Sequence, residues 1–110
     1  MQYTTLGTSG LHVSNACLGA MMFGHSSHAP TGEVESRRII DAFLDGGGNF
    51  IDTANVYVSG ESEEVVGRAI ASRRDDVVLA TKGFGPLEGG TAGWDNPKPN
   101  TTGLGRKWAR

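Results

Sequence analysis

Gly48-Asn49-Phe50-Ile51-Asp52-Thr53-Ala54-Asn55-Val56-Tyr57, read together with Lys82, decides the fold of this chain. Phe50 and Ile51 form a short apolar run that ends at a carboxylate, and the loop beyond it carries a tyrosine. A second apolar run, Val77-Val78-Leu79-Ala80-Thr81, ends as abruptly at Lys82. A helical pattern lies between the two, so the spacing predicts parallel strands joined by a crossover helix. Asp52 and Lys82 then stand at the C-terminal ends of neighbouring strands. An acid, a phenol and an ammonium meeting there suit proton transfer.

Outward from this stretch the same alternation continues. Upstream, a helix is predicted from about Gly32 to Leu44, with Thr31 as its N-cap and Glu33 and Glu35 in the first turn, where the helix dipole favours acids. Ile39, Ile40, Phe43 and Leu44 form one apolar stripe along it. Gly46-Gly47-Gly48 supplies residues able to end the helix with positive φ. Downstream, a second helix is predicted from about Glu61 to Ser72, with Val65, Val66, Ala69 and Ile70 repeating the spacing. Ala16-Cys17-Leu18 reads as a further buried strand, with Cys17 a small core residue. Tyr3 to Leu6 and Leu11 to Val13, around Gly7-Thr8-Ser9-Gly10, read as a β-hairpin. Strands without polar alternation, each followed by a one-sided helix, point to an α/β layer with a parallel sheet.

Bulk properties exclude several classes. The 110 residues carry a net charge of -2, with 37% hydrophobic and 20% charged side chains, which suits at most one domain. No basic patch suggests nucleic acid. No apolar run reaches the ~18 residues of a membrane helix, and Met1-Gln2-Tyr3-Thr4-Thr5 is not a signal peptide. Cys17 is the sole cysteine, so no internal disulfide forms and a cytoplasmic location is expected. From Gly83 to Gly105 the pattern dissolves into Gly, Pro, Asn and Thr around Trp94, and 101–110 reads as the opening turns of a third helix. His25 and His28 have a metal-like spacing, but no third ligand completes a recognisable pattern, so a solvated loop is the reading and no metal is expected. Gly83-Phe84-Gly85 lacks the third glycine and the helix of a dinucleotide loop.

Reducing a carbonyl requires hydride at carbon and a proton at oxygen, the latter from a donor within hydrogen-bond reach. A phenol releases its proton reluctantly near neutral pH, and a neighbouring ammonium eases that release. A carboxylate paired with the ammonium holds it in place. Tyr57, Lys82 and Asp52 have the types for these three roles.

Asn49-Phe50-Ile51-Asp52-Thr53-Ala54-x-x-Tyr57, followed by Gly60-x-Ser62-Glu63 and Gly67, resembles the signature of the aldo-keto reductases. Leu6-Gly7-x-Ser9-Gly10-Leu11-x-Val13-Ser14 with Leu18-Gly19 is similar to that family's N-terminal hairpin and first barrel strand. Ala80-Thr81-Lys82 is similar to the end of its third strand, and Asn100-x-x-Gly103-Leu104-x-Arg106-Lys107 to the entry into its third helix. The resemblance implies the N-terminal part of a TIM (β/α)8 barrel over residues 1–110, a single incomplete domain. It implies reduction of aldehydes or ketones with NADP(H) through an Asp-Tyr-Lys-His tetrad. Asp52, Tyr57 and Lys82 match three members. The fourth, a histidine ending the family's fourth strand, has no counterpart in His12, His25 or His28. Gly19, Ala20 and Met21 match the loop that approaches the nicotinamide ribose, with Asp52 beside it. Phe23 and Trp94, with Tyr57, are candidates for lining a substrate pocket. Val58 stands where many members have glycine.

A full barrel takes about 250 residues and eight strands. The expectation is therefore a fragment, inactive in isolation, whose helix stripes and sheet edge face water. The partner expected is a small carbonyl compound, neither nucleic acid nor membrane; oligomeric state is left open. A rival reading is an NADPH-holding auxiliary subunit of the same fold, and a third a truncated product without activity.

Overall fold

The computed structural model describes residues 1–83; Trp94 and the third helix expected at 101–110 lie outside them. Two sheets form. Strand β1 (Tyr3–Thr5) pairs antiparallel with β2 (His12–Ser14), in the register Tyr3↔Ser14 and Thr5↔His12. Gly7 and Gly10, at φ 56 and 77, turn the chain between them. Strands β3 (Leu18–Gly19), β4 (Phe50–Asp52) and β5 (Val78–Ala80) form a parallel sheet in sequence order, with Gly19, Asp52 and Ala80 abreast.

Helix α1 (Glu33–Asp45) joins β3 to β4, and α2 (Glu61–Ala69) joins β4 to β5. The N-cap of α1 is Gly32, not Thr31, and it makes no side-chain cap. Ser36 turns its buried hydroxyl back to the carbonyls of Gly32 and Thr31 instead, at 2.9 and 3.2 Å. At the other end Gly47, at φ 88, donates to Leu44 O while Gly48 donates to Phe43 O. That pair of bonds is a Schellman motif, and it satisfies carbonyls that the helix leaves open. A side chain on Gly48 would collide with the Phe43 ring.

Helix α2 ends at Ala69, short of the expected Ser72, and Ala71–Asp76 continue as 3-10 turns. Ile70 still buries fully, so the apolar spacing outlasts the α-helical backbone. Strand β3 begins at Leu18, later than expected, and Cys17 is exposed rather than a core residue. It precedes a strand whose alternate residues face away from the helices. Local desolvation, and next the Asp52 carboxylate, raise its thiol pKa, which argues against a thiolate nucleophile.

The core lies between sheet and helices: Ile40, Leu44, Ile51, Val65, Val66, Ala69, Ile70 and Val77 are buried, with Ile39, Phe43, Leu18 and Leu79 packed at its margin. The helix stripes, expected to face water, are thus buried against the sheet. Burying side chains of this size stabilises by roughly 1.5–3 kcal/mol each before chain entropy is counted. Ion pairs Arg68–Glu33 and Arg73–Asp45, both 2.7 Å, tie the two helical connections together at the surface.

Asn49, at the head of the deciding stretch, fastens the hairpin to the sheet. Its side chain accepts from Ser14 N at 2.7 Å and donates to His12 O at 3.0 Å. Tyr3 Oη adds a bond to Gly47 O at 2.6 Å.

Candidate functional site

Each parallel strand ends at the same rim. Side chains alternate along a strand, so Ile51 and Thr53 point under the helices while Asp52 points to the opposite face. The backbone registers the rim directly: Ala20 N donates to Asp52 O, Thr53 N to Ala80 O and Asn55 N to Lys82 O, at 2.9 to 3.0 Å. The chain after Asn55 then tightens. Tyr57–Gly60 form a short 3-10 segment in which Val58 and Ser59 take φ 47 and 54, ahead of Gly60 at φ 98. A β-branched residue in that region is strained, and it stands at the position noted above for its departure from glycine.

These elements bring Asp52, Tyr57 and Lys82 together. The Lys82 ammonium donates to Asp52 Oδ2 at 2.5 Å, to Thr53 O at 3.1 Å and to Tyr57 Oη at 3.1 Å. An ammonium has three protons and no acceptor, so this set accounts for all of them. Its nitrogen also lies 5.0 Å from the centre of the Tyr57 ring. The hydrogen bond to Asp52 is the main cause that raises the Lys82 pKa above the ordinary lysine value, with the Tyr57 bond a smaller one. The ammonium is therefore charged across the neutral range. Because the side chains are exposed by 52% and 33%, the pair contributes little to stability. Its consequence is placement.

The remaining expected residues divide. Gly19 sits beside Asp52 in register and borders open space. Met21 is exposed at 57% on the same loop. Ala20 is buried, its N–H given to Asp52 and its carbonyl taken by Ser62 Oγ at 2.6 Å, so it anchors the loop. Phe23, expected as a pocket wall, packs instead into the core with Ala20 and Ile40, because the loop folds back through a Phe23–Thr31 bridge. No metal-binding group of His, Cys, Asp and Glu occurs among the described residues. His25 instead lies 3.1 Å from Glu64, and its backbone N–H, with that of Ser26, goes to Glu61 Oε2 at 2.7 and 2.9 Å.

Sequence reasoning missed the polar layer beneath the rim. Thr53 and Ser62, both fully buried, share a 2.8 Å hydroxyl contact, and buried Glu63 accepts from Thr81 Oγ1 at 2.6 Å. Gly60-x-Ser62-Glu63 was the available signal, quoted for its resemblance alone.

A model of the aldo/keto reductase family matches residues 15–110. The "Probable voltage-gated potassium channel subunit beta" of Arabidopsis thaliana is 40% identical over 97% of this chain and 30% of its own length. Norsolorinic acid reductase B of Dothistroma septosporum is 50% identical over 74% of this chain and 22% of its own length. A solved aldo-keto reductase from Bacillus halodurans, in holo form, superposes with a TM-score of 0.72 at 39% identity, over 89% of this chain and 31% of that one. The chain thus spans less than a third of the length of these proteins. The match takes in all three parallel strands and the rim they carry: the chain belongs to the aldo/keto reductase family, and its described residues have the fold of the N-terminal part of that family's barrel.

Proposed function

We propose that the barrel to which these residues contribute is an NADPH-dependent oxidoreductase that reduces aldehydes or ketones to alcohols. The observation that carries the reading is the Lys82 ammonium held between Asp52 and Tyr57 at the open rim. NADPH, when bound, supplies the hydride; Gly19, Met21 and Asp52 are the described residues proposed to border it. Tyr57 is the general acid. Because Lys82 Nζ donates to Tyr57 Oη, the phenol's own proton is free to point at a substrate oxygen. As that proton leaves, the ammonium stabilises the charge left on Oη. Asp52 and the Thr53 carbonyl keep the ammonium from swinging away. Trp94 keeps its proposed place as a pocket wall, and the catalytic histidine is proposed to come from another part of the barrel.

The test is a chimera in which this chain replaces the matching segment of the Bacillus halodurans barrel. Tyr57→Phe there lowers kcat about 10²–10⁴-fold, the share usual for a general acid, and leaves NADPH affinity near its starting value. Undiminished turnover removes Tyr57 from its role. The 110-residue chain alone is expected to show no such reduction.

Similarity to the potassium channel subunit beta over nearly the whole chain supports a second reading, an auxiliary subunit that retains the cofactor and turns over slowly. Asp52, Tyr57 and Lys82 serve both. Slow turnover with tight NADPH retention and co-purification with a membrane complex decides for the subunit.

A further inference from the structure

The first turn of α2 touches every strand end of the parallel sheet. Ser62 Oγ has one proton, and it goes to the Ala20 carbonyl at 2.6 Å, just past β3. In the 2.8 Å contact between Ser62 and Thr53, the donor is therefore Thr53 Oγ1, just past β4. Next along the turn, Glu63 accepts from Thr81 Oγ1 at 2.6 Å, just past β5. Ser62 and Thr53 are fully buried, so their contact forms away from competing water, whereas the bond from the exposed Thr81 reaches inward to a Glu63 only 2% exposed.

The two residues gripped at β4 and β5 both bear on Lys82. Thr53 offers its carbonyl to the Lys82 ammonium at 3.1 Å, and Thr81 is the residue before it. We propose that Ser62 and Glu63 are positioning residues, a brace that sets the height of β4 against β5 so that the Lys82 ammonium reaches Asp52 and Tyr57 together. The inference rests on the proposed function for its meaning in catalysis, but not for its measurement. A long, exposed lysine side chain has rotamer freedom to lose. Neighbouring strands slipping by a fraction of a hydrogen bond would separate a nitrogen from an oxygen only 3.1 Å away. The brace removes that slip without touching the reacting groups.

The experiment reads Lys82 itself. In the 110-residue chain labelled with ¹³C at lysine Cε, the Lys82 resonance is titrated with pH, and nuclear Overhauser contacts between its ε-methylene and the Tyr57 ring are recorded. Lys82 titrates above an ordinary lysine, chiefly through its bond to Asp52. Thr81→Val keeps the shape but removes the hydroxyl. Its expected result is a titration midpoint shifted down toward the ordinary lysine value and loss of the ring contact. Thr81→Ser restores the hydroxyl and both signals. Glu63→Gln keeps an acceptor and leaves both signals in place, which separates geometry from the charge of Glu63. A Thr81→Val chain that unfolds more easily yet keeps the wild-type midpoint and ring contact overturns the proposal, because the bond then serves stability alone. If Thr81→Val does not fold, Ser62→Ala, which cuts the other arm, carries the same reading with the same two outcomes. Failure of both to fold, beside a folded Thr81→Ser, likewise assigns the layer to stability and overturns positioning. None of these results depends on carbonyl turnover, so the brace and the reductase reading fail separately.

Discussion

The two faces of the β3–β4–β5 sheet are built from the same strands and do opposite work. On one, Ile51 and Val77 lie buried beneath α1 and α2, and Thr53 joins the polar layer at their edge. On the other, Phe50, Asp52, Val78 and Ala80 are only half-buried, and Gly19 is exposed. The period of two places a core residue and a site residue next to each other, as Ile51 and Asp52 show. Stability therefore belongs to the odd position of β4, Ile51, and chemistry to the even Asp52 beside it. In a polar stretch such a division would be lost, since one slip of register exchanges the faces.

The comparison breaks most visibly at Ile51. Ile51→Ala removes a fully buried side chain from the core, and a cost of about 2–5 kcal/mol is expected in denaturant unfolding of the chain. Asp52→Asn, one residue on, is expected to cost less than about 1 kcal/mol, because its partner ammonium is half exposed. Equal losses at the two positions would erase the distinction between the faces. The Asn variant nonetheless alters the site, since the chief cause raising the Lys82 pKa is gone and the ammonium loses its counter-charge.

A middle-sized effect is expected at Val58, on the turn that follows Tyr57. A β-branched residue at φ 47 is disfavoured, and glycine adopts that region freely. Val58→Gly relieves the strain but gives up chain stiffness and the packing of Val58 Cγ1 near Gly24. A net gain of about 1 kcal/mol in thermal or denaturant unfolding is expected. A loss of stability would mean that the packing outweighs the strain.

Legibility in the sequence follows the same line between faces. Short apolar runs that stop at Asp52 and at Lys82 reveal both strand ends, because a charge seldom continues a buried strand. Gly46-Gly47-Gly48 reveals the helix stop, since Gly47 needs its positive φ. Hydrophobicity alone does not say what an apolar residue packs against. Phe23 therefore read as a pocket wall when it is core, and Cys17 as core when it is exposed. Polar residues hid their partners for a related reason. Ser62, Glu63 and Thr81 are ordinary in sequence, and their bonds span separations that only the folded sheet closes. Thr31 was the better cap by type, yet the helix opens at Gly32 with no side-chain cap, and the Ser36 hydroxyl donates to the carbonyls of Gly32 and Thr31 rather than accepting from an open N–H.

The smallest expected effects sharpen the comparison by pH. At the alkaline end, Lys82 has its folded value raised by Asp52, so its contribution is present below the unfolded value of 10.5 and is lost as pH rises through the folded one. At the acid end the relevant group is Glu61, which holds the loop after β3 against α2. The backbone N–H groups of Ser26 and His25, in that order, draw its carboxyl from 4.5 down to about 2. A depressed folded value means that the latch contributes above pH 4.5 and is lost as pH falls from there through about 2. Amide resonances of His25 and Ser26 are expected to move together with a midpoint near 2, and Glu61→Gln to abolish that transition. A midpoint near 4.5 would mean that the carboxylate does not hold these amides in solution. The loop beside the chemical face would then owe its position to Ser62 and the buried Phe23, and so to the helix-covered side of the sheet.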